Sequence, residues 1–337
     1  MRQKVIIEAL KKPAAYDEEV SRIRLLQTHI SYIFLTGRYA YKVKKPVNLG
    51  FLDFTALEKR KFYCEEELRL NRRLCGEMYI DVLPITLSGD SVKINGSGEI
   101  VEYTLKMKEL PQEALMSEML KRNEVSMNIM NEIARILSDF HNEAETSREI
   151  ESYGSLSVVK FNWDENFEQT REFIGRTISR QDYMAIHRAV QRFLKDKKDL
   201  FELRRRRGRI RECHGDLHSE NIFIADRIYI YDAIEFNKRF RCCDVASDIA
   251  FLTMDLEFLG KKNLSDGFLK RYVEYSGEEE DFLEVLPFYK CYRAYVRGKV
   301  TSFKLNDPNI TEKEKKASEK IAKKYFKLSC LYAEELF

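Results

Sequence analysis

The segment His214–Asn221 concentrates side chains that could act in catalysis or bind a metal ion. Its sequence is HGDLHSEN, so the carboxylate of Asp216 follows His214 by two residues and precedes the amide of Asn221 by five. This HxDxxxxN spacing is typical of a phosphotransfer loop, in which the aspartate accepts the proton of an attacking hydroxyl and the asparagine holds Mg²⁺ on a nucleotide's phosphates. We predict Asp216 as the catalytic carboxylate, His214 as its orienting group and Asn221 as a metal ligand.

A second carboxylate follows where such a metal site requires one. Two apolar runs, 222–224 and 228–231, flank three residues that include two charged ones and predict a short hairpin. Asp232 comes directly after it. An aspartate at a strand end beside a loop that bears an asparagine is the arrangement in which the two side chains share Mg²⁺. Asp232 is therefore the second predicted metal ligand.

Together with these residues, the segment Asp244–Ala250 resembles the aminoglycoside phosphotransferase-like branch of the protein-kinase-like superfamily. The HGDLH wording is typical of that branch, whereas eukaryotic-type protein kinases carry HRD and DFG. Small-molecule kinases often have Asp-Phe/Trp-Glu after the hairpin, whereas Asp232-Ala-Ile-Glu235 has one residue more. Because of this departure, the resemblance assigns a role to Asp232 but none to Glu235. More narrowly, the sequence resembles an uncharacterised bacterial and archaeal subgroup of this branch, in the segments 28–31, 41–46, 232–236 and 241–244.

The resemblance implies an α+β, protein-kinase-like two-lobed fold. We expect a nucleotide-binding N-terminal lobe at 1–108, with a five-stranded antiparallel sheet and one helix, and a mainly helical catalytic and acceptor-binding lobe at 109–337. It also implies ATP and Mg²⁺ as cofactors and a small-molecule hydroxyl as the acceptor, whose identity is left open. Asp248 is expected to tie the catalytic loop to the helix at 244–260.

Composition sets wider bounds on the protein. With 337 residues the chain suits two lobes, and a net charge of +3 gives no argument for nucleic acid or an anionic membrane as a partner. No apolar run approaches the roughly 18 residues of a spanning helix, and the first ten residues lack the apolar core of a leader, so we expect a cytoplasmic protein. The seven scattered cysteines lack a CxxC pair and indicate reduced thiols without zinc.

The first lobe is expected to begin with three strands, at 23–26, 30–35 and 39–45. By the resemblance, Lys42 matches the strand lysine that pairs with the α- and β-phosphates of ATP. Lys44 is its rival, because strand side chains alternate with period 2 and both lysines lie on one face. A basic strand edge that faces solvent would explain the same residues.

A helix that starts near the capping-box pattern Thr55–Glu58 and ends near Gly76 follows the third strand. Glu67 falls on its apolar stripe, and a carboxylate on a buried face needs a cation. Lys42 is the obvious partner, since a lysine–glutamate pair between strand and helix places the phosphates in kinase-like lobes. Glu66 flanks the stripe and remains the alternative.

The loop between the first two strands, 27–31, would cover the phosphates, but it lacks the pattern GxGxxG. Thr28, His29 and Ser31 could replace the glycines with hydroxyl and N–H groups. A plain polar hairpin explains these residues equally well.

Further strands are predicted at 78–83, 91–95 and 99–107, with a hairpin turn at Asn95–Gly98. Residues 108–111 then break the pattern and are interpreted as a hinge between the lobes, where backbone groups would meet adenine.

In the second lobe an apolar stripe predicts one long helix, and His141 beside its end is interpreted as structural. The stripe consists of Ile129, Ile133, Ile136 and Phe140. Residues 150–166 are expected to be rich in loops, and Trp163 could serve either an acceptor pocket or the core.

Three charged patterns of the second lobe are interpreted as solvated. The basic run Leu203–Arg211 is expected to be a helix end, and the acidic tetrad Glu278–Asp281 a helix start. Tyr289, Tyr292, Arg293 and Arg297 share helical neighbours and could line an acceptor cleft, although an exposed amphipathic face is the default.

The leading hypothesis is an ATP- and Mg²⁺-dependent phosphotransferase that acts on a small-molecule hydroxyl. The first alternative keeps the fold but directs phosphoryl or nucleotidyl transfer to protein side chains. The second is a non-catalytic nucleotide-binding protein, against which stand the retained residues Lys42, Asp216, Asn221 and Asp232.

Overall fold

The computed structural model describes residues 2–308 and 310–337. The chain divides into two compact units, Met1–Glu118 with Glu220–Lys238, and Met119–Ser219 with Arg239–Phe337. The segment that carries Asn221 and Asp232 thus packs with the N-terminal unit, although it is distant in sequence. The lobe boundary after residue 108 stays a prediction.

Ten strands form three antiparallel sheets within the described residues. They are β1 (Arg24–Gln27), β2 (Ser31–Leu35), β3 (Tyr39–Lys44), β4 (Tyr79–Ser88), β5 (Ser91–Ile94), β6 (Glu99–Lys108), β7 (Ile210–Glu212), β8 (Ile222–Ile224), β9 (Ile228–Ile230) and β10 (Cys242–Asp244). The first unit holds the sheet β1-β2-β3-β6-β4-β5 and the β8-β9 hairpin, and the second unit holds the β7-β10 pair.

Thirteen helices accompany the strands in the same residues. They are α1 (Arg2–Leu10), α2 (Leu57–Cys75), α3 (Met116–Lys121), α4 (Met127–Glu143), α5 (Arg148–Ser152), α6 (Leu156–Thr170), α7 (Arg180–Asp196), α8 (Lys198–Arg206), α9 (Lys238–Arg241), α10 (Val245–Phe258), α11 (Lys262–Ser276), α12 (Glu280–Phe303) and α13 (Glu312–Glu334). None of the helices in the described chain has both the length and the hydropathy that crossing a bilayer requires.

The large sheet of the first unit is covered on both faces because its strands alternate side chains with period 2. On β3, Tyr41 and Val43 pack into a core with the α1 residues Ile6 and Leu10. The opposite face carries Ala40 and joins a second core that includes Cys75 of α2 and Phe223 of β8. The six predicted strand positions of the first unit are confirmed, and the alternation sends Lys42 and Lys44 to the face that α2 covers.

Two details of the predicted sheet are wrong. It has six strands and not five, because the short strand β5 buries Val92 and Ile94 and pairs with β4 at the sheet edge. The turn Asn95–Gly98 does not join a hairpin, since β6 pairs with β3 and β4 and is not a neighbour of β5.

The helix α2 lies where the sequence predicts it, but the predicted capping box at its start is wrong. The residue before its first turn is Ala56, which offers no side-chain cap. Thr55 is engaged elsewhere, because its hydroxyl donates to the carboxylate of Asp53 at 2.6 Å and its N–H donates to the same oxygen at 3.0 Å. An ionised acceptor forms the stronger hydrogen bond, which explains the competition.

The second unit is mainly helical, as predicted, but residues 150–166 are not a loop. They contribute to α5 and α6, and α5 begins at the cap Ser147. Trp163 is fully buried, stacks on Phe167 at 5.2 Å between ring centroids and meets the edge of Tyr295 at 5.5 Å. Of its two predicted roles, the structure assigns Trp163 to the core.

The basic run ends α8 and the acidic tetrad begins α12, as predicted, but the expectation that they are solvated is wrong for Arg204, Glu278 and Asp281, which are buried. Arg204 is fully buried and binds Asp244 at 2.7 Å, Glu278 at 2.5 Å and Asp281 at 3.2 Å. Burial alone would lower the pKa of Arg204, but Asp244 and Glu278 raise it above its usual range. Arg204 of the basic run thus pairs with Asp244 and with two carboxylates of the acidic tetrad. These ion pairs link α8 to the starts of α10 and α12.

We expect Arg204→Met to lower the free energy of unfolding by about 3–5 kcal/mol, because it takes away the buried cation that three buried carboxylates share. Urea denaturation followed by circular dichroism measures the change. The matched control is Arg206→Met on the same helix, where the side chain is 77% exposed and pairs with Glu202. The control should cost less than about 1 kcal/mol, and equal losses in both variants would contradict the assigned role of Arg204.

Candidate active site

A fully buried carboxylate, Glu67, lies between two lysines of the first unit. The Nζ of Lys42 donates to one of its oxygens at 2.7 Å, and the Nζ of Lys44 donates to the other at 2.6 Å. The predicted alternative Glu66 instead pairs with Arg69 on its own helix at 3.0 Å. The structure therefore brings both candidate lysines to Glu67 and neither to Glu66.

Two further carboxylates extend this cluster at its ends. Asp232 accepts from Lys42 at 2.6 Å, and Glu235 accepts from Lys44 at 2.5 Å. The result is an alternating row, Asp232–Lys42–Glu67–Lys44–Glu235, which we call the five-charge row. The Asp232 side chain is 40% exposed and that of Lys42 10%, whereas Lys44 is 1% exposed and Glu235 5%. One end of the row thus reaches solvent and the other is enclosed.

Charge pairing keeps the centre of the row ionised despite its burial. Burial alone would raise the pKa of Glu67, but Lys42 and Lys44 lower it to about 2. Burial would likewise lower the pKa of Lys42, and Asp232 and Glu67 raise it well above its usual range. At the enclosed end, burial raises the pKa of Glu235, and Lys44 offsets only part of that effect.

The β8-β9 hairpin places both predicted metal ligands at the same end. Ile222 pairs with Ile230, and the N–H of Tyr231 donates to the carbonyl oxygen of Asn221 at 3.0 Å. Asp232 is the next residue, so its carboxylate and the Asn221 amide leave neighbouring backbone positions. Amide and carboxylate oxygens are the ligands that Mg²⁺ prefers.

The backbone of Asp232 is strained, with a φ of +64° that residues other than glycine seldom adopt. Such a conformation costs on the order of 1–3 kcal/mol and persists where its surroundings hold it. The next N–H, that of Ala233, donates to the side-chain oxygen of Asn71 on α2 at 2.9 Å. Asn71 thus holds the backbone directly after Asp232, and Lys42 holds the carboxylate of Asp232.

The loop between β1 and β2 is built as a tight turn around Thr28. The hydroxyl of Thr28 accepts from the N–H of Ser31 at 3.0 Å and from the N–H of Ile30 at 3.3 Å. Ser31 is buried opposite Lys44 in the strand register, whereas His29 is exposed. The predicted phosphate contacts of Thr28, His29 and Ser31 stay predictions, and the geometry accounts for Thr28 as a turn residue.

In the second unit, the backbone at the start of the HGD segment is held by an aspartate and an arginine. Asp248 on α10 accepts from the N–H of His214 at 2.7 Å and from the N–H of Gly215 at 2.8 Å. Arg293 on α12 donates to the carbonyl oxygen of Gly215 at 2.8 Å. Gly215 has a φ of +85°, and a Cβ there would lie 2.9 Å from a backbone carbonyl oxygen. Asp248 thus does what the resemblance implies.

Two histidines orient the carboxylate between them in sequence. The Nδ1 of buried His214 accepts from the N–H of Asp216 at 3.2 Å, which fixes the backbone of the carboxylate. The Nε2 of His218 lies 3.3 Å from a carboxylate oxygen of Asp216, and the His218 ring packs against Phe251 at 5.2 Å. The Asp216 side chain stays 36% exposed. Its carboxylate can therefore accept a hydrogen bond from outside the protein.

The local charges keep Asp216 ionised. Burial alone would raise its pKa, but His218 first, and then Arg297 and His214, lower the pKa below its usual range. An ionised carboxylate accepts hydrogen bonds and does not donate them. The arrangement can thus orient a hydroxyl group that donates to Asp216.

Solved structures of other proteins share this architecture. A choline/ethanolamine kinase family protein from Mesorhizobium loti matches 98% of this chain and 99% of its own, at 11% identity and a TM-score of 0.53. A candidate aminoglycoside phosphotransferase from Ralstonia eutropha matches 98% of each chain, at 11% identity and a TM-score of 0.50. The chain has the protein-kinase-like fold. The predicted fold class is confirmed, and identities this low carry the likeness no further than the fold.

Sequence comparison adds relatives of undetermined function. Uncharacterised proteins of Mycobacterium tuberculosis (strain H37Rv) and Mycobacterium bovis are each 32% identical over 279 residues. The match takes in 82% of this chain and 54% of each relative, so the chain spans about half the length of the curated relatives it matches. No family model matches the chain.

Sequence reasoning missed one contributor to the five-charge row of the first unit and two contributors to the surroundings of Asp216 in the second unit. It did not assign His218, which the HxDxH spacing could have suggested, and it left Glu235 without a partner. It also took an exposed face as the default for Arg293, and this is wrong because Arg293 is 5% exposed and bonded to Gly215. No local pattern could have given that contact, since 78 residues separate its partners.

We expect the stability advantage of the wild type over Glu67→Gln to shrink as the pH falls. The pKa of Glu67 is about 2 in the folded protein against its usual 4.5, so the unfolded chain takes up this proton first. The stabilisation is complete above pH 4.5 and is lost as the pH falls towards 2. Urea denaturation across this range measures the gap, with Glu66→Gln as the control that should show little change. A gap independent of pH would contradict the assigned ionisation of Glu67.

Proposed function

We propose that the protein is an ATP- and Mg²⁺-dependent phosphotransferase that acts on a hydroxyl group of a small molecule. The observation that carries the proposal is the buried Lys42–Glu67 pair, whose lysine also contacts the partly exposed Asp232. A strand lysine held by a helix glutamate, next to an oxygen ligand for a metal ion, is the apparatus with which kinase-like sites hold a nucleotide's phosphates. The protein-kinase-like fold supports the same interpretation.

The first unit would bind the nucleotide. Lys42 would donate to phosphate oxygens, with Glu67 fixing its side chain. Asn221 and Asp232 would hold Mg²⁺, which their shared position at one hairpin end and their oxygen donors fit. The ion, when bound, would neutralise charge on the phosphates.

The second unit would bind the acceptor hydroxyl through Asp216. The carboxylate is ionised, partly exposed and directed by His214 and His218, so it can accept the hydroxyl's hydrogen bond and hold the oxygen in place. A carboxylate whose pKa is lowered is a weak base at neutral pH. The proton would therefore pass to Asp216 late, and orientation would supply most of its effect.

The charges near Asp216 favour acceptors other than polycations. Arg297 contributes positive charge at this carboxylate. The acidic tetrad, which could have attracted an aminoglycoside, binds Arg204 and Arg207 instead. We expect neutral or anionic alcohols, such as sugars or hydroxy acids, to be better acceptors than aminoglycosides.

The decisive measurement is ATP turnover with Mg²⁺ across a panel of sugars, hydroxy acids, nucleosides, amino alcohols and aminoglycosides. One acceptor should stimulate turnover, and Asp216→Asn should reduce kcat by about 10²–10⁴-fold, the usual contribution of a positioned acid–base group. Asp232→Asn should abolish the Mg²⁺-dependent turnover. The control Asp226→Asn removes an exposed carboxylate from the turn of the same hairpin and should have no effect.

Three results would count against the proposal. Undiminished turnover in Asp232→Asn would remove that residue from the metal site. Labelling of protein bands by labelled ATP in a lysate, without stimulation by any small molecule, would favour a protein-directed transferase. Nucleotide binding without any transfer would favour the non-catalytic alternative.

A further inference from the structure

Glu67 contacts a second lysine, Lys44, in addition to its partner Lys42. Lys44 is 1% exposed, and its Nζ contacts Glu67 at 2.6 Å and Glu235 at 2.5 Å. The same amine lies 5.0 Å from the centre of the Phe54 ring. Carboxylates and an aromatic ring thus occupy its surroundings within the protein.

The two lysines differ in what they can reach. Lys42 contacts Asp232, the most exposed member of the five-charge row, whereas Lys44 contacts Glu235 at the enclosed end. An anionic ligand that approaches from solvent would meet the Lys42 end. Lys44 is therefore an internal partner, and the alternation of strand β3 alone could not distinguish the two.

Glu67 creates the need for a second cation. If Lys42 turns part of its donor capacity to a bound phosphate, a fully buried carboxylate loses charge compensation at that moment. An uncompensated buried charge is strongly unfavourable and would pull Lys42 back. Lys44 holds the other oxygen of Glu67 and keeps that carboxylate paired in either state.

Glu235 could compete with a bound anion for Lys42. It is a buried carboxylate in the same row, and Lys42 is the second lysine, after Lys44, whose charge acts on it. The Lys44–Glu235 pair also joins the segment three residues after Asp232 to β3. The insertion of one residue relative to Asp-x-Glu thus leaves Glu235 facing a lysine.

We propose that Lys44 is a positioning residue that keeps Glu67 paired and holds Glu235 away from Lys42, so that Lys42 is free to bind an anionic ligand. The proposal rests on the phosphate-binding role proposed for Lys42. It assigns to Lys44 and Glu235 a joint role, in which the loss of the lysine is harmful because the glutamate remains.

The test is calorimetric binding of MgATP to four folded variants of the whole chain. Lys44→Met should weaken binding by about tenfold, within the range of coupling between contacting charges. Lys44→Met with Glu235→Gln should bind more tightly than Lys44→Met alone, because the competing carboxylate is gone. Lys44→Arg should restore binding, and the control Lys61→Met, on the exposed surface of α2, should match the wild type.

A merely structural role would give a different pattern. It would lower the unfolding temperature of Lys44→Met without changing the dissociation constant of the folded protein, and that result would overturn the proposal. So would a double variant that binds no better than Lys44→Met. If Lys44→Met does not fold, Lys44→Gln replaces it, with the same expected weakening and the same rescue by Glu235→Gln.

Failure of the proposed function gives a distinct result. In that case the wild type itself neither binds MgATP nor turns it over, and the role assigned to Lys44 falls with it. Wild-type binding together with unaltered binding by Lys44→Met would overturn the positioning role alone and leave the phosphotransferase proposal standing.

Discussion

A carboxylate that is completely removed from water must be paired, and Glu67 places this constraint at the centre of the first unit. Its two oxygens take two lysines from one strand face, and each lysine then takes a further carboxylate from the segment after β9. Helix, sheet and hairpin segment are thereby joined by charge as well as by apolar packing. A buried ion pair is not by itself a large source of stability, but it admits few alternative arrangements. The constraint therefore acts mainly on geometry, and it fixes where Lys42 and Asp232 lie.

Buried carboxylates of the second unit are also paired, with backbone N–H groups as well as with charged side chains. Asp248 is buried and accepts hydrogen bonds from two N–H groups. Burial alone would raise its pKa, but the hydrogen bond from His141 first, and then His214 and Arg293, lower the pKa to about 2. Its partners belong to the HGD segment, so satisfying this charge shapes the backbone before Asp216. Arg204 gathers three carboxylates in the same unit. Charges that look solvated in sequence thus serve as internal connections.

The sequence allowed predictions wherever the information was local. Strand alternation placed Lys42 and Lys44 on one face, helical spacing selected Glu67, and the HxDxxxxN pattern singled out Asp216 and Asn221. Predictions based on local pattern failed where the partner was distant: Arg204 finds Glu278 across 74 residues, and Arg293 finds Gly215 across 78. A run of arginines predicts a solvated surface unless its partners are known. The capping box failed for a different reason, since a neighbouring carboxylate competed for Thr55.

The five-charge row has a direction that bears on how a ligand would enter it. Two lysines face three carboxylates, so with all five groups ionised the row carries one negative charge in excess. Exposure is greatest at Asp232 and least in the middle and at the Glu235 end. A cation from solvent would reach the row first at Asp232, its most exposed member, where a strained backbone is already held by Asn71 and Lys42. A cation that binds there would relieve Lys42 of one carboxylate, and this would free the lysine for an anion that arrives with the cation. Under the proposed function, a metal ion and an anionic ligand would therefore bind more tightly together than either one alone.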